Sequence, residues 1–211
     1  MDAGRLIIIP IFGLLLAANI AALYGDLKVF ELGSMVKAVM LIHRLLLVCF
    51  YALLVYLYFI RRPARSSTQS ITAKIAAVVG TFLPFALPVL SRPSENPTLM
   101  LSASMVTIVG IAIALYSIST LGGSFSIIPQ ARELVQTGPY KIVRHPVYLG
   151  ELIAIFGFIM ARFSPQAGAV YCLFAAAQIY RALQEEKVLA GTFPQYEANF
   201  LGRARFIPGI F

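Results

Sequence analysis

The sequence predicts an all-α fold, a polytopic transmembrane protein of about six membrane helices, and three observations predict it. Of the 211 residues, 59% are hydrophobic and only 12% are charged, with a mean hydropathy of +0.83. A soluble domain is typically about 45–50% apolar and about 25% charged. The apolar residues fall in runs close to the roughly 20 residues that a helix needs to cross a bilayer. The basic residues, which give a net charge of +8, lie in the short gaps between those runs. That is the pattern that orients membrane helices; a nucleic-acid surface would cluster its basic residues on a polar face, so no nucleic-acid partner is expected.

The first expected span is Leu6–Leu23, an apolar run that also resembles a signal-peptide core and that we take as a retained helix. Asp26, Lys28, Glu31 and Lys37 mark a polar connection. Leu41–Ile60 is the second span, with His43 and Arg44 at its entrance, where amphipathic side chains can reach the interface. Arg61, Arg62 and Arg65 surround Pro63 and lead into Ser66, Ser67 and Thr68, a loop. The third span, Ile71–Leu90, carries Pro84 and Pro88 near its end and should kink there. Residues 91–97 form a polar turn, and Thr98–Leu121 is a fourth span closed by Gly122 and Gly123. Residues 1–121 are thus expected as an N-terminal region of four spans.

Residues 122–211 are expected as a second region: a loop, a helical hairpin and a C-terminal tail. Its helices are Pro146–Ala161 and Gln166–Leu183, joined by a turn at Arg162–Pro165. They are short for full spans, so tilt or partial insertion is expected. The tail Phe193–Leu201 mixes aromatic and polar residues in a way that suits an interfacial helix. Cys49 and Cys172 lie inside apolar runs without a Cys or His at ligand spacing. They are expected as small buried core residues, with neither a disulfide framework nor a metal site.

The arginine cluster at 61–65 orients the chain if it is cytoplasmic. Alternation then places twelve of the seventeen lysines and arginines on that side and both termini in the cytoplasm. It also brings the 120–146 loop and the C-terminal tail to one side of the membrane.

Two features of that side could carry chemistry. Proline suits the first position of a helix, so Pro146 should start one with His145 at its cap. The N–H groups of such a start attract an anion, and Arg144, His145 and Tyr148 would add donors around it. The plainer reading is a basic boundary loop. The second feature is Arg181 and Glu185, four residues apart and so on one helix face, with Glu186 turned away. The plainer reading there is a solvated helix end with an internal ion pair. Together, a donor-rich helix start and a carboxylate-bearing helix end suit a ligand with both a carboxylate and cationic groups, of which S-adenosylmethionine is one. No G-x-G-x-x-G loop follows a predicted strand, so a soluble Rossmann-type cofactor domain is not expected; any cofactor pocket lies at the cytoplasmic boundary of the membrane body.

These residues carry a resemblance. Leu134-Val135, Gly138-Pro139-Tyr140, Arg144-His145-Pro146-Val147-Tyr148-Leu149-Gly150 and Arg181 with Glu185-Glu186, in that order, resemble the isoprenylcysteine carboxyl methyltransferase family and the related phospholipid N-methyltransferases. Phe193-Pro194 with Tyr196, and Ile207-Pro208-Gly209, are similar too, so the likeness covers about residues 120–211. It implies a membrane methyltransferase with an S-adenosylmethionine pocket formed by Leu134, Val135, Tyr140, His145, Pro146, Val147, Tyr148 and Glu185. It also implies catalytic roles for Arg181, facing the substrate carboxylate, and Arg144. The chain has Arg132 where prenylcysteine enzymes commonly have histidine. The implied partners are membrane lipids and a lipophilic or prenylated substrate. Two alternatives stay open: methylation of a phospholipid amine, and a non-catalytic transporter or lipid-binding protein.

Overall fold

The computed structural model describes residues 3–31 and 33–209. The expected cytoplasmic placement of the chain ends concerns Met1 and Phe211, which lie outside the described residues. Among the described residues, four stretches are long and apolar enough to cross a membrane: Arg5–Lys28, Met35–Ile60, Ile71–Leu90 and Pro97–Ser124. The chain is a membrane protein built from helices.

Helix α1 (Ala3–Lys28) and α2 (Met35–Ile60) run antiparallel. Ser34 caps α2 by accepting from the Lys37 N–H, and the Lys37–Glu31 pair at 2.9 Å closes the turn. At the opposite end Arg5 donates to the Arg61 carbonyl at 2.6 Å. Helix α2 starts six residues before the expected Leu41, so His43 and Arg44 sit within the helix and not at its entrance. Arg44 is tolerated there because Asp26 (3.0 Å) and Asn19 (3.2 Å) of α1 receive its guanidinium. A compensated charge lets a span begin earlier than hydropathy alone suggests.

The third span kinks as its prolines predict. Helix α3 (Ile71–Phe82), capped by Ser70, passes into a 3₁₀ turn at Leu83–Ala86 and then α4 (Leu87–Leu90). Helix α5 (Pro97–Leu121) starts on Asn96, whose side chain accepts from the N–H groups of Thr98 and Leu99. Helices α6 (Pro146–Met160) and α7 (Pro165–Thr192) form the hairpin, and α8 (Tyr196–Phe200) ends the helical order. The tightest packing is between α5 and α6. A Cβ on Gly150 would lie 2.6 Å from the Ala114 nitrogen, and one on Gly110 2.2 Å from the Ala154 nitrogen. Small residues let the two backbones approach without a side chain between them.

The end that carries Arg5 and Arg61 also gathers the loops. Strand β1 (Ser66–Ser67) pairs antiparallel with β2 (Gln130–Ala131), a short ladder in an otherwise helical chain. Arg62 donates to the Gly123 carbonyl, and Arg65 to that of Ala131. The tail returns to the same end, where Arg144 and His145 donate their backbone N–H groups to the carbonyls of Ala204 and Arg205.

Two expectations are corrected. Cys49 and Cys172 are exposed, because α2 and α7 turn those faces outward, where a membrane helix needs no polarity. The tail is not helical over the whole of Phe193–Leu201. Its helix has five residues, and Tyr196 and Phe200, each 3% exposed, pack with Phe193 and Ala131 in a core.

Candidate functional site

The site begins at the start of α6. Gly138, at φ +55°, lets the chain turn into the 3₁₀ stretch Gly138–Lys141, a backbone angle that side chains resist. This turn buries Tyr140 and delivers Arg144 and His145 to the helix start. Pro146 occupies the first position of α6, as expected, and is fully buried.

The donors at this helix start face an anion supplied by the chain itself. His145 donates from Nε2 to Glu186 Oε1 at 3.1 Å, and Arg205 donates to both Glu186 oxygens at 3.0 and 3.3 Å. Arg144 reaches Glu186 Oε2 at 3.5 Å and donates to the carbonyls of Arg203 and Phe200 at 2.9 and 3.1 Å. Burial would raise the Glu186 carboxyl pKa, but the hydrogen bonds and charges of His145 and Arg205 overcome it and hold it down at about 2. Glu186, which the sequence places in the resembling motif but turned away from Arg181 and Glu185, clamps the tail to the start of α6.

Glu185 faces the other way. Tyr148 donates its hydroxyl to Glu185 Oε2 at 2.9 Å, and the His145 ring stacks on the Tyr148 ring at 5.6 Å. Arg181 lies on the face of the same tyrosine, its guanidinium carbon 4.9 Å from the ring centroid. Tyr148 thus stands between Arg181 and Glu185, which do not form the internal ion pair of the plainer reading. Arg181 is 3% exposed and donates to Gln178 Oε1 at 2.6 Å and to the Ile127 carbonyl at 3.1 Å.

Two cavities meet at this tyrosine. The first opens among the 121–135 segment, the start of α6 and the end of α7. It is lined by Leu134, Val135, Tyr140, Arg144, His145, Val147, Tyr148 and Glu185, eight of the ten residues expected from the sequence. Pro146 stands behind its wall, and Arg181 belongs to the second cavity. Sequence reasoning missed Ser126, Gln130, Leu189, Tyr196 and Phe200, which also line the first. The Tyr140 hydroxyl is buried and has no hydrogen-bond partner among the described residues. Burial first, then the Glu185 charge, pushes its pKa well above the usual tyrosine range, so it remains a donor. The room here is narrow, about 60 Å³.

The second cavity is an apolar chamber of about 310 Å³ inside the helix bundle. Every long helix contributes, among them Phe12, Tyr51, Leu54, Ile111, Phe158 and Phe174. Its polar lining includes His43, Glu151 and Arg181. Phe125, Val147 and Tyr148 line both cavities and form the partition between them. Glu151 was not singled out from the sequence, although a carboxylate one turn past Tyr148 inside a short apolar helix is a signal that could have found it. Gly80 of α3 gives Gln178 and Arg181 their room, since a Cβ there would lie 3.0 Å from each side chain.

The chain is similar to known proteins. It is 29% identical over 113 residues to the nickel-cobalt-cadmium resistance protein NccN of Alcaligenes xylosoxydans xylosoxydans. That alignment takes in 52% of this chain and 53% of that protein, so the chain spans about half the length of this curated relative. Among solved structures, the eukaryotic intramembrane Ras methyltransferase ICMT (isoprenylcysteine carboxyl methyltransferase) superposes with a TM-score of 0.48 at 20% identity, covering 82% of this chain and 68% of that one. Residues 96–196 match the family model described as phospholipid methyltransferase. That stretch runs from the start of α5 to Tyr196, just under half of the chain.

Proposed function

We propose that this chain is an integral membrane, S-adenosylmethionine-dependent methyltransferase that O-methylates the carboxylate of a lipophilic substrate. The observation that carries this reading is the pair of cavities divided by Phe125, Val147 and Tyr148, one polar and aromatic at the loop-bearing end, the other apolar with an arginine at its edge. The family match over residues 96–196 supports it.

The residues of the first cavity fit the cofactor's chemistry. Glu185 offers a carboxylate to a cationic group, and Leu134, Val135 and Leu189 offer apolar walls. The buried Tyr140 hydroxyl lacks a partner that a polar ligand atom would supply. The void of about 60 Å³ is smaller than a nucleoside, so cofactor binding would widen it. Bound S-adenosylmethionine would supply an electrophilic methyl on a sulfonium, and its transfer to a carboxylate oxygen yields a methyl ester and a neutral thioether with no proton released.

The chain's own residues then have limited tasks. A carboxylate is already a nucleophile at neutral pH, so orientation dominates and no general base is required. Arg181 holds the carboxylate oxygen that does not attack. Tyr148, fixed by Glu185 and His145, sets the gap through which the methyl passes. Arg144 acts through the helix start and tail, holding the cofactor side of the partition in place. A lipid tail reaches the chamber from the bilayer and the cofactor enters from the loop-bearing, cytoplasmic side.

N-methylation of a lipid amine is the second reading, and Glu151 favours it. That reaction must release a proton, and a chamber carboxylate could accept it.

Titration of detergent-purified protein with S-adenosylmethionine, followed by calorimetry and thermal unfolding, tests the cofactor assignment. Heat of binding and a raised unfolding temperature are expected. Neither heat nor shift would remove the methyltransferase reading.

A further inference from the structure

The chamber's polar end is more specific than an arginine in an apolar wall. Gln178 is wholly buried and joins two charges: its amide nitrogen donates to Glu151, and its amide oxygen accepts from Arg181. Glu151 and Arg181 therefore stand one carboxamide apart, both lining the chamber. Among the described residues, Glu151 is the one acidic side chain of that lining. Glu151 follows Val147 by four residues and Tyr148 by three on α6, so it shares the helix face that forms the partition.

Neither charge is saturated. Among the described residues the Arg181 Nε is buried with no hydrogen-bond partner, so the guanidinium keeps donor capacity. A carboxylate has about four acceptor positions, and Gln178 fills one of those on Glu151. Buried charged groups that keep such capacity call for a ligand that completes them.

We propose that Glu151 is a specificity residue that selects substrates whose head carries a hydrogen-bond donor beside the carboxylate, Arg181 taking the acid and Glu151 the adjacent N–H or O–H. The inference rests on the carboxylate reading of the function and narrows it. A plain fatty acid leaves Glu151 facing apolar carbon and adds a second negative charge beside it. An N-acyl amino acid satisfies both groups.

The test compares two acids of equal chain length, N-lauroylglycine and pentadecanoic acid, as methyl acceptors for the full-length protein in detergent. An unmade hydrogen bond to a charged group corresponds to roughly ten- to a hundredfold, so kcat/KM should favour the glycine conjugate by about that factor. Glu151→Ala should bring the two acids within about threefold of each other without changing S-adenosylmethionine affinity. The isosteric Glu151→Gln keeps an acceptor and should retain part of the preference, which separates specificity from a folding defect. Equal kcat/KM for the two acids with wild-type protein, or an unchanged ratio in Glu151→Ala, would overturn the assignment while leaving the methyltransferase reading standing. If neither acid accepts a methyl group, the carboxylate reading fails, and the inference is then read from ligand-induced thermal shifts. A larger shift with N-lauroylglycine supports it, and equal shifts overturn it.

Discussion

Replacing Glu186 by Gln should unfasten the tail from the start of α6, and the size of the effect follows from its carboxyl. The folded protein holds that group at about 2 against an ordinary value of 4.5. A difference of about 2.5 units at 1.36 kcal/mol each is worth about 3 kcal/mol. Solvent takes little of this, because the Glu186 side chain is only 12% exposed. The pKa is depressed on folding, so the stabilisation is fully present above about pH 4.5 and is lost as pH falls toward about 2. Thermal unfolding in detergent, at a fixed scan rate and in steps from pH 7 to pH 3, measures it. At pH 7 the Glu186→Gln protein should unfold about 6–12 °C below wild type, at 2–4 °C per kcal/mol for a chain of this size. As pH falls below about 4.5 the wild type should lose this advantage, and the two curves should converge. Equal unfolding temperatures at pH 7 with parallel pH curves would refute the clamp.

Tyr140→Phe removes a hydroxyl without a protein partner, so it should weaken S-adenosylmethionine binding about fivefold or more while leaving the unfolding temperature within a degree or two; calorimetry beside a melting curve checks both. Glu185→Gln should also weaken cofactor binding, and unchanged affinity would remove Glu185 from the pocket. Arg181→Ala should lower kcat or raise KM for the acceptor and spare cofactor affinity, a split that steady-state kinetics reads directly; the reverse split would reassign it to the cofactor. Gly150→Ala places a methyl 2.6 Å from the Ala114 nitrogen, so α5 and α6 must separate, at a cost of about 1–3 kcal/mol seen as a lowered unfolding temperature.

The spans were legible because a bilayer demands long apolar runs, and the α3 kink because proline cannot donate to a helix. The start of α2 was not legible. Its extra turns depend on Asp26 and Asn19 receiving Arg44 from another helix, and no local pattern encodes that. The expectation for Cys49 and Cys172 failed because an apolar run in a membrane helix has no sequence mark for which face turns inward. At the site, spacing and resemblance brought eight of ten expected residues to one cavity. The roles of Glu186 and Glu151 needed the fold. Glu186 meets residues that are 19 and 41 positions away, and Glu151 meets Gln178, 27 positions away. A carboxylate's partner across such distances is a tertiary fact.

Methyl transfer across the Tyr148 partition to a lipophilic carboxylate leaves a chemical signature in the lipid product. Incubating the purified protein with S-adenosylmethionine carrying a labelled methyl group and a membrane lipid extract, then treating the lipids with alkali, tests it most directly. Transfer to a carboxylate leaves label in the lipid fraction that alkali releases as volatile methanol, the mark of an ester. Label that survives alkali would assign the reaction to an amine, and no label in any lipid would contradict the account.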